Sequence, residues 1–141
     1  MDAPNLRPRM VFFRVLEFHT KNARPDVGRV EMGFEVKPEI ELALRSPNQS
    51  DGTFEAAVKI QLHGRAASKE SPDETMADFS AVYEALFRYP PGVTETEVSP
   101  RFEREPHQYM LVSQAFPLAI SHFRQELSAM GFNFEGLPLG I

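Results

Sequence analysis

The chain contains no cysteine and no tryptophan. Without cysteine there is no disulfide, no thiol nucleophile and no cysteine-bound metal, and the composition suits a reducing compartment. No apolar run approaches the roughly 20 residues of a membrane-spanning helix. The opening MDAPNLRPRM has no apolar core of signal-peptide length. A surplus of positive charge is missing too. The formal net charge is -5, the wrong sign for a surface that neutralises phosphates, so nucleic acid is not an expected partner. The glycines are dispersed and build no phosphate loop, and there is neither an H-E-x-x-H metal motif nor a G-x-S-x-G nucleophile elbow. His19, His63, His107 and His122 have no partners at helical metal spacing and read as surface or partly buried imidazoles. Glu95, Glu97, Glu103 and Glu105 have no nucleophile or base set beside them and read as a solvated loop. No cofactor, no metal and no catalytic residue is expected.

What is present is the composition of a globular domain. Of the 141 residues, 42% are hydrophobic and 25% charged, which supports one domain over 1–141 with residues 1–9 as a loose tail. The expectation is a soluble, cytoplasmic protein with no membrane insertion. Val11 to His19 is rich in Val, Phe and Leu and reads as a strand. Phe13, Val15 and Leu16 are assigned to one of its faces, Phe12 and Phe18 to the other.

The clearest pattern follows. Val30, Met32, Phe34, Val36, Ile40, Leu42 and Leu44 share parity, with Glu31, Glu35, Lys37, Glu39, Glu41 and Arg45 between them. That is a strand with one dry and one wet face. Pro38 keeps the phase but lacks an N–H, so it marks an edge position, a bulge or a break. Such a break would free Met32 to Val36 to turn away from the core. After a turn over Ser46 to Gly52, the residues Phe54, Ala56, Val58, Ile60 and Leu62 alternate with polar ones, and the two strands pair as a hairpin. Thr75 to Tyr89 stays open: Met76, Phe79, Tyr83 and Leu86 suit a helix, while the odd positions from Ala77 to Tyr89 suit a strand. Val93 to Glu105 reads as a loop.

From Tyr109 to Gly131 the residues Tyr109, Val112, Phe116, Ile120, Phe123, Leu127 and Met130 recur at helical steps. Met110, Leu111, Ala115 and Leu118 lie off that stripe, so the first half of the helix is apolar on more than one side. One side can take the chain's own sheet and the other a second subunit. A kink or break is expected at Pro117, and Gly131 as the stop.

Taken together, Thr20-Lys21, Val36 to Leu42, Gly52 to Leu62, and Phe116-Pro117 through Met130-Gly131 to Leu137-Pro138 resemble SecB, the bacterial protein-export chaperone family. The resemblance implies an α+β fold: a four-stranded antiparallel sheet, with Thr75 to Tyr89 as its fourth strand, followed by a long kinked C-terminal helix. It also implies packing as a dimer of dimers, with the helices between sheets. The implied function is that of a holdase without catalytic activity, binding unfolded or pre-secretory polypeptides along hydrophobic grooves. Met32 and Val36 match the family's aromatic groove positions, and the client-binding set is expected to be Phe18, Met32, Phe34, Val36, Phe87, Tyr89 and Phe132. The self-association surface, for a homodimer or homotetramer, is expected at Tyr109, Leu111, Val112, Phe116, Leu118 and Phe123. Docking to the export ATPase SecA would fall at Asn22 and Asp26, where the family carries acidic residues and this chain has Asn at the first. A SecB-like chaperone dedicated to an antitoxin is the alternative within the family. A hot-dog ligand-binding protein or thioesterase is the alternative outside it, although that fold places its helix early.

Overall fold

A computed structural model describes residues 7–22, 32–45, 53–68 and 75–130. Four strands of equal length, β1 (Arg9–Asn22), β2 (Met32–Arg45), β3 (Glu55–Ser68) and β4 (Thr75–Arg88), precede two helices, α1 (Glu95–Phe102) and α2 (Glu105–Ala129). The strands form one antiparallel sheet in the order β1-β4-β3-β2, so β1 and β2 are its edges. The architecture is the α+β sheet followed by a helix that the sequence led us to expect.

Thr75 to Arg88 is a strand, which settles the open choice there. The cause lies in its partner. Along β4 the helix-facing residues Ala77, Phe79, Ala81, Tyr83, Ala85 and Phe87 alternate small and aromatic. Opposite them on β3 stand Ala66, Gly64, Leu62, Ile60, Val58 and Ala56 in register. At Phe79–Gly64, Ala81–Leu62 and Phe87–Ala56 a large side chain faces a small one across the strand pair. A helical stripe through the same residues would have no such counterpart.

Pro38 neither bulges nor breaks β2. The strand keeps register with β3 from Met32↔Ser68 to Arg45↔Glu55, and Pro38 stands opposite Leu62. Of the three expected outcomes it takes the edge position, where a missing N–H leaves no ladder bond unmade. The expectation that residues 32–36 turn away is therefore corrected: that half of β2 stays paired.

β1 is the strand whose phase the sequence misstates. It has register irregularities between Met10 and Phe12 and between Val15 and Glu17. Each extra residue resets the alternation. Phe18 thus stands opposite Ala81 and Phe13 opposite Ala85, both on the helix-facing side, whereas a simple alternation had put Phe18 on the other face with Phe12. On the face away from the helix, Glu84 of β4 accepts from Arg14 of β1 at 2.7 Å and from Arg45 of β2 at 3.2 Å, tying both edge strands to the centre.

α2 begins four residues before the predicted start, at Glu105, with Pro106 in its first turn. It runs unbroken through Pro117, so of the kink or break expected there the break is corrected. α1 falls within the segment read as a loop. Its signal was the Thr94-Glu95-Thr96-Glu97 run. The Glu97 carboxylate accepts from the Thr94 backbone N–H at 3.2 Å and from its hydroxyl at 2.8 Å, half of a capping box. Val98 anchors α1 in the core.

Candidate functional site

The core lies between α2 and the two central strands. α2 packs over β3 and β4, and Leu111, Val112, Ala115, Phe116, Ala119, Ile120, Phe123 and Leu127 are its buried residues. A single helix is about 10 Å across and covers two strands spaced about 4.8 Å apart. The apolar rows of the edge strands are therefore only partly covered. On β1 these are Met10, Phe13 and Phe18, and on β2 Val36, Ile40, Leu42 and Leu44, all half-buried against the core. Two apolar shoulders result, one on each side of the helix.

Phe18 is in the β1 shoulder. Its ring meets His122 edge-on at 5.4 Å and Phe123 at 6.1 Å. Val36 is in the β2 shoulder, opposite Gly64. The two lie at opposite edges of the sheet, so the predicted client residues do not form one groove. Met32 and Phe34 hold register opposite Ser68 and Ala66. Phe87 and Tyr89, expected in the groove, are instead fully buried in the core, and the expectation is corrected for both. Tyr89 is held against His107 of α2, a tertiary contact that no local pattern reports. Asn22 ends β1 opposite Ala77. Asp26 and Phe132 lie outside the described residues.

The six residues expected at a subunit interface divide. Leu111, Val112, Phe116 and Phe123 face the chain's own sheet and are buried, whereas Tyr109 is 57% and Leu118 42% exposed. Of this set, only those two stand on the helix side turned from the sheet. Exposed apolar residues on β1 are Val11, Val15 and Leu16, two of them at the irregularities.

Tyrosine and histidine join helix to sheet. The Tyr83 hydroxyl is 3.0 Å from His122 Nδ1, and His122 Nε2 is 3.5 Å from Glu126 Oε1, one turn along α2. Phe13 stacks on Tyr83 at 5.6 Å. The Tyr89 hydroxyl is 2.7 Å from His107 Nε2, with the rings stacked at 5.9 Å. Burial pushes the Tyr89 phenol up to about 12, and pushes Tyr83 further still with help from the Glu126 charge. Both phenols therefore keep their protons, and each donates where the imidazole nitrogen it faces is the unprotonated one. Burial, seconded by the Arg101 guanidinium, holds His107 below the ordinary imidazole range and favours the neutral ring, whose Nε2 accepts from Tyr89 in the tautomer that carries its proton on Nδ1. These pairs act as fasteners. Among the described residues no group of three or more His, Cys, Asp or Glu could hold a metal. A cavity of about 330 Å³ lies where α1 passes the end of the β2–β3 hairpin, lined by Leu44, Arg45, Phe54, Glu95, Ser99, Phe102 and Glu103. No helix described is long and apolar enough to cross a membrane.

No family model and no curated protein matches the chain. Among solved structures, the chain is similar to a SecB-like chaperone of Mycobacterium tuberculosis, described in complex with a peptide from an antitoxin. That similarity covers 93% of this chain and 91% of the other, with 21% sequence identity and a TM-score of 0.47.

Proposed function

We propose that this chain is a holdase of the SecB-like kind: it binds unfolded polypeptides and catalyses no reaction. The observation that carries the reading is the pair of apolar shoulders beside α2. A folded core that leaves Phe13 and Phe18 on one side and Val36, Ile40 and Leu42 on the other half-covered offers extended clients two weak apolar sites per subunit. Several such sites on one oligomer add by effective concentration, so affinity for a long unfolded chain exceeds that of any single contact. Self-association as a homodimer or homotetramer is part of the proposal, with Tyr109 and Leu118 of α2 at the contact. Binding then draws the client's equilibrium toward its unfolded form by mass action.

The clients are unfolded or pre-secretory chains of the cytoplasm. Asn22 at the position where the family is acidic takes a charge away from a contact with a basic tail of SecA. This favours a dedicated client, such as an antitoxin, over a general export role. Nothing in the helix placement favours the hot-dog alternative, since α2 follows all four strands.

Suppression of aggregation of an unfolding model protein is the test. Wild-type chain should suppress light scattering at near-stoichiometric ratios. Phe18→Ser with Val36→Ser should weaken that suppression severalfold, and denaturant melts should confirm that the double variant is folded. No suppression by the wild type at any ratio ends the holdase reading. Unchanged suppression by the folded double variant ends the assignment of the shoulders.

A further inference from the structure

His107 occupies a different setting from His122. It is the third residue of α2, where unpaired backbone N–H groups already concentrate positive charge. The charged group acting on it from α1 is Arg101, and its chain neighbours Arg104 and Glu105 are exposed. From the end of β4 the Tyr89 hydroxyl reaches its Nε2 at 2.7 Å, and from α1 the Phe102 ring meets it edge-on at 6.3 Å. The imidazole is thus wedged between the strand end and the last turn of α1. With Nε2 as acceptor, its proton sits on Nδ1.

Protonation removes the acceptor. Nε2 then carries a hydrogen and faces the phenol at donor-to-donor distance. The hydroxyl can turn and accept, but Tyr89 is buried, and among the described residues its own proton then has no partner. The new cation also lies beside Arg101 and at the positive end of α2, with no carboxylate bridging it among the described residues. His122 is unlike it in this respect, because Glu126 stands 3.5 Å away.

We propose that His107 makes the corner between α1 and α2 a pH-operated joint: neutral, it locks the corner through Tyr89, and protonated, it lets the last turn of α1 swing out. Val98 is fully buried and serves as the pivot. The bond from Gln108 Nε2 to the Phe102 carbonyl at 3.0 Å does not titrate and limits the swing. Phe102 and Glu103 move with the turn, and both line the cavity at the sheet end. Opening the joint therefore widens that cavity and bares Phe54 and Leu44. The depressed proton affinity of His107 places the release on the acid side of the usual imidazole range.

Amide hydrogen exchange over residues 99–104, corrected for the intrinsic effect of pH, tests this between pH 7.5 and 5.0. In the wild type, protection there should fall about fivefold or more on acidification, the value of one lost buried hydrogen bond. In His107→Gln, whose side-chain oxygen accepts but does not titrate, protection should stay level. Tyr89→Phe should show the low protection already at pH 7.5, and it serves if the glutamine variant fails to fold. Level protection in the wild type overturns the proposal, as does an equal acid response in the glutamine variant, or in the phenylalanine variant full protection at pH 7.5.

Discussion

Gly64 shows how one position sets the height of the whole core. A Cβ there would lie 3.3 Å from the Glu35 carbonyl oxygen, 3.3 Å from Cζ of Phe123 and 3.5 Å from Val36 Cγ2. The first is backbone of the neighbouring strand, and the Phe123 ring is held edge-on by Phe18 at 6.1 Å and Phe79 at 5.8 Å. Neither yields easily. Replacing glycine in a strand returns about 0.5–1 kcal/mol of chain entropy, while overpacking costs about 1–3 kcal/mol. Gly64→Ala should therefore destabilise by about 1–2 kcal/mol in denaturant melts, and a gain would show that α2 can lift. The Tyr–His pairs set the pH limits at the same scale. Tyr83 and Tyr89 ionise above the 10.0 of an unfolded tyrosine. Their contribution is whole below about pH 10 and is lost as pH rises toward the folded values. His107 ionises below the ordinary 6.5, so its contribution is whole above that value and is lost as pH falls. The denaturant midpoint should be level between those limits, and Tyr83→Phe should flatten the alkaline limb.

At the scale of elements, α2 carries a proline in mid-helix that the packing overrides. Pro117 leaves the Ser113 carbonyl without its helical partner, yet the helix continues through it, with Phe116, Ala119 and Ile120 around it buried. Pro117→Ala restores a bond and relieves the ring clash, against some loss of unfolded-state stiffness. A net gain of about 1–2 kcal/mol is expected from thermal or denaturant melts, and a loss would mean that the ring itself packs. This helix, β2 and β3 were legible because one period dominates each, although on α2 the stripe residue Tyr109 is exposed and Leu111 and Ala115, off the stripe, are buried. β4 was not, because Ala-aromatic alternation and a three-four stripe coexist between Met76 and Leu86, and only the facing β3 decides. α1 was hidden by its eight residues and Pro100. β1 was read out of phase because nothing local marks Val11 or Leu16 as extra. The same non-locality governed the candidate site. Phe18 and Val36 lie in the shoulders, whereas Phe87 and Tyr89 are buried, Tyr89 against His107 of α2.

For the whole molecule, the division of the α2 residues gives a test of assembly that separates it from folding. Leu111 is fully buried under the chain's own sheet, and Leu118 is on the open side. Leu111→Arg should unfold the chain, because an unpaired cation in the core costs several kcal/mol. Leu118→Arg should leave the melt within about 0.5 kcal/mol of wild type per subunit while lowering the mass measured by light scattering. A wild-type monomer at micromolar concentration would remove the helix face from the assembly, and an unchanged mass for the folded Leu118 variant would move the contact elsewhere, the exposed Val11, Val15 and Leu16 of β1 being the next candidates.

The tyrosines also give the protein an optical property. There are three, and no tryptophan to mask them. A phenol that donates to an imidazole nitrogen can pass its proton on when excited, so Tyr83 and Tyr89 are expected to emit weakly in the native state. The ultraviolet emission of the folded chain is then expected to come chiefly from Tyr109, which stands on the outer side of α2. Its brightness and polarisation report on whatever covers that face, without a label.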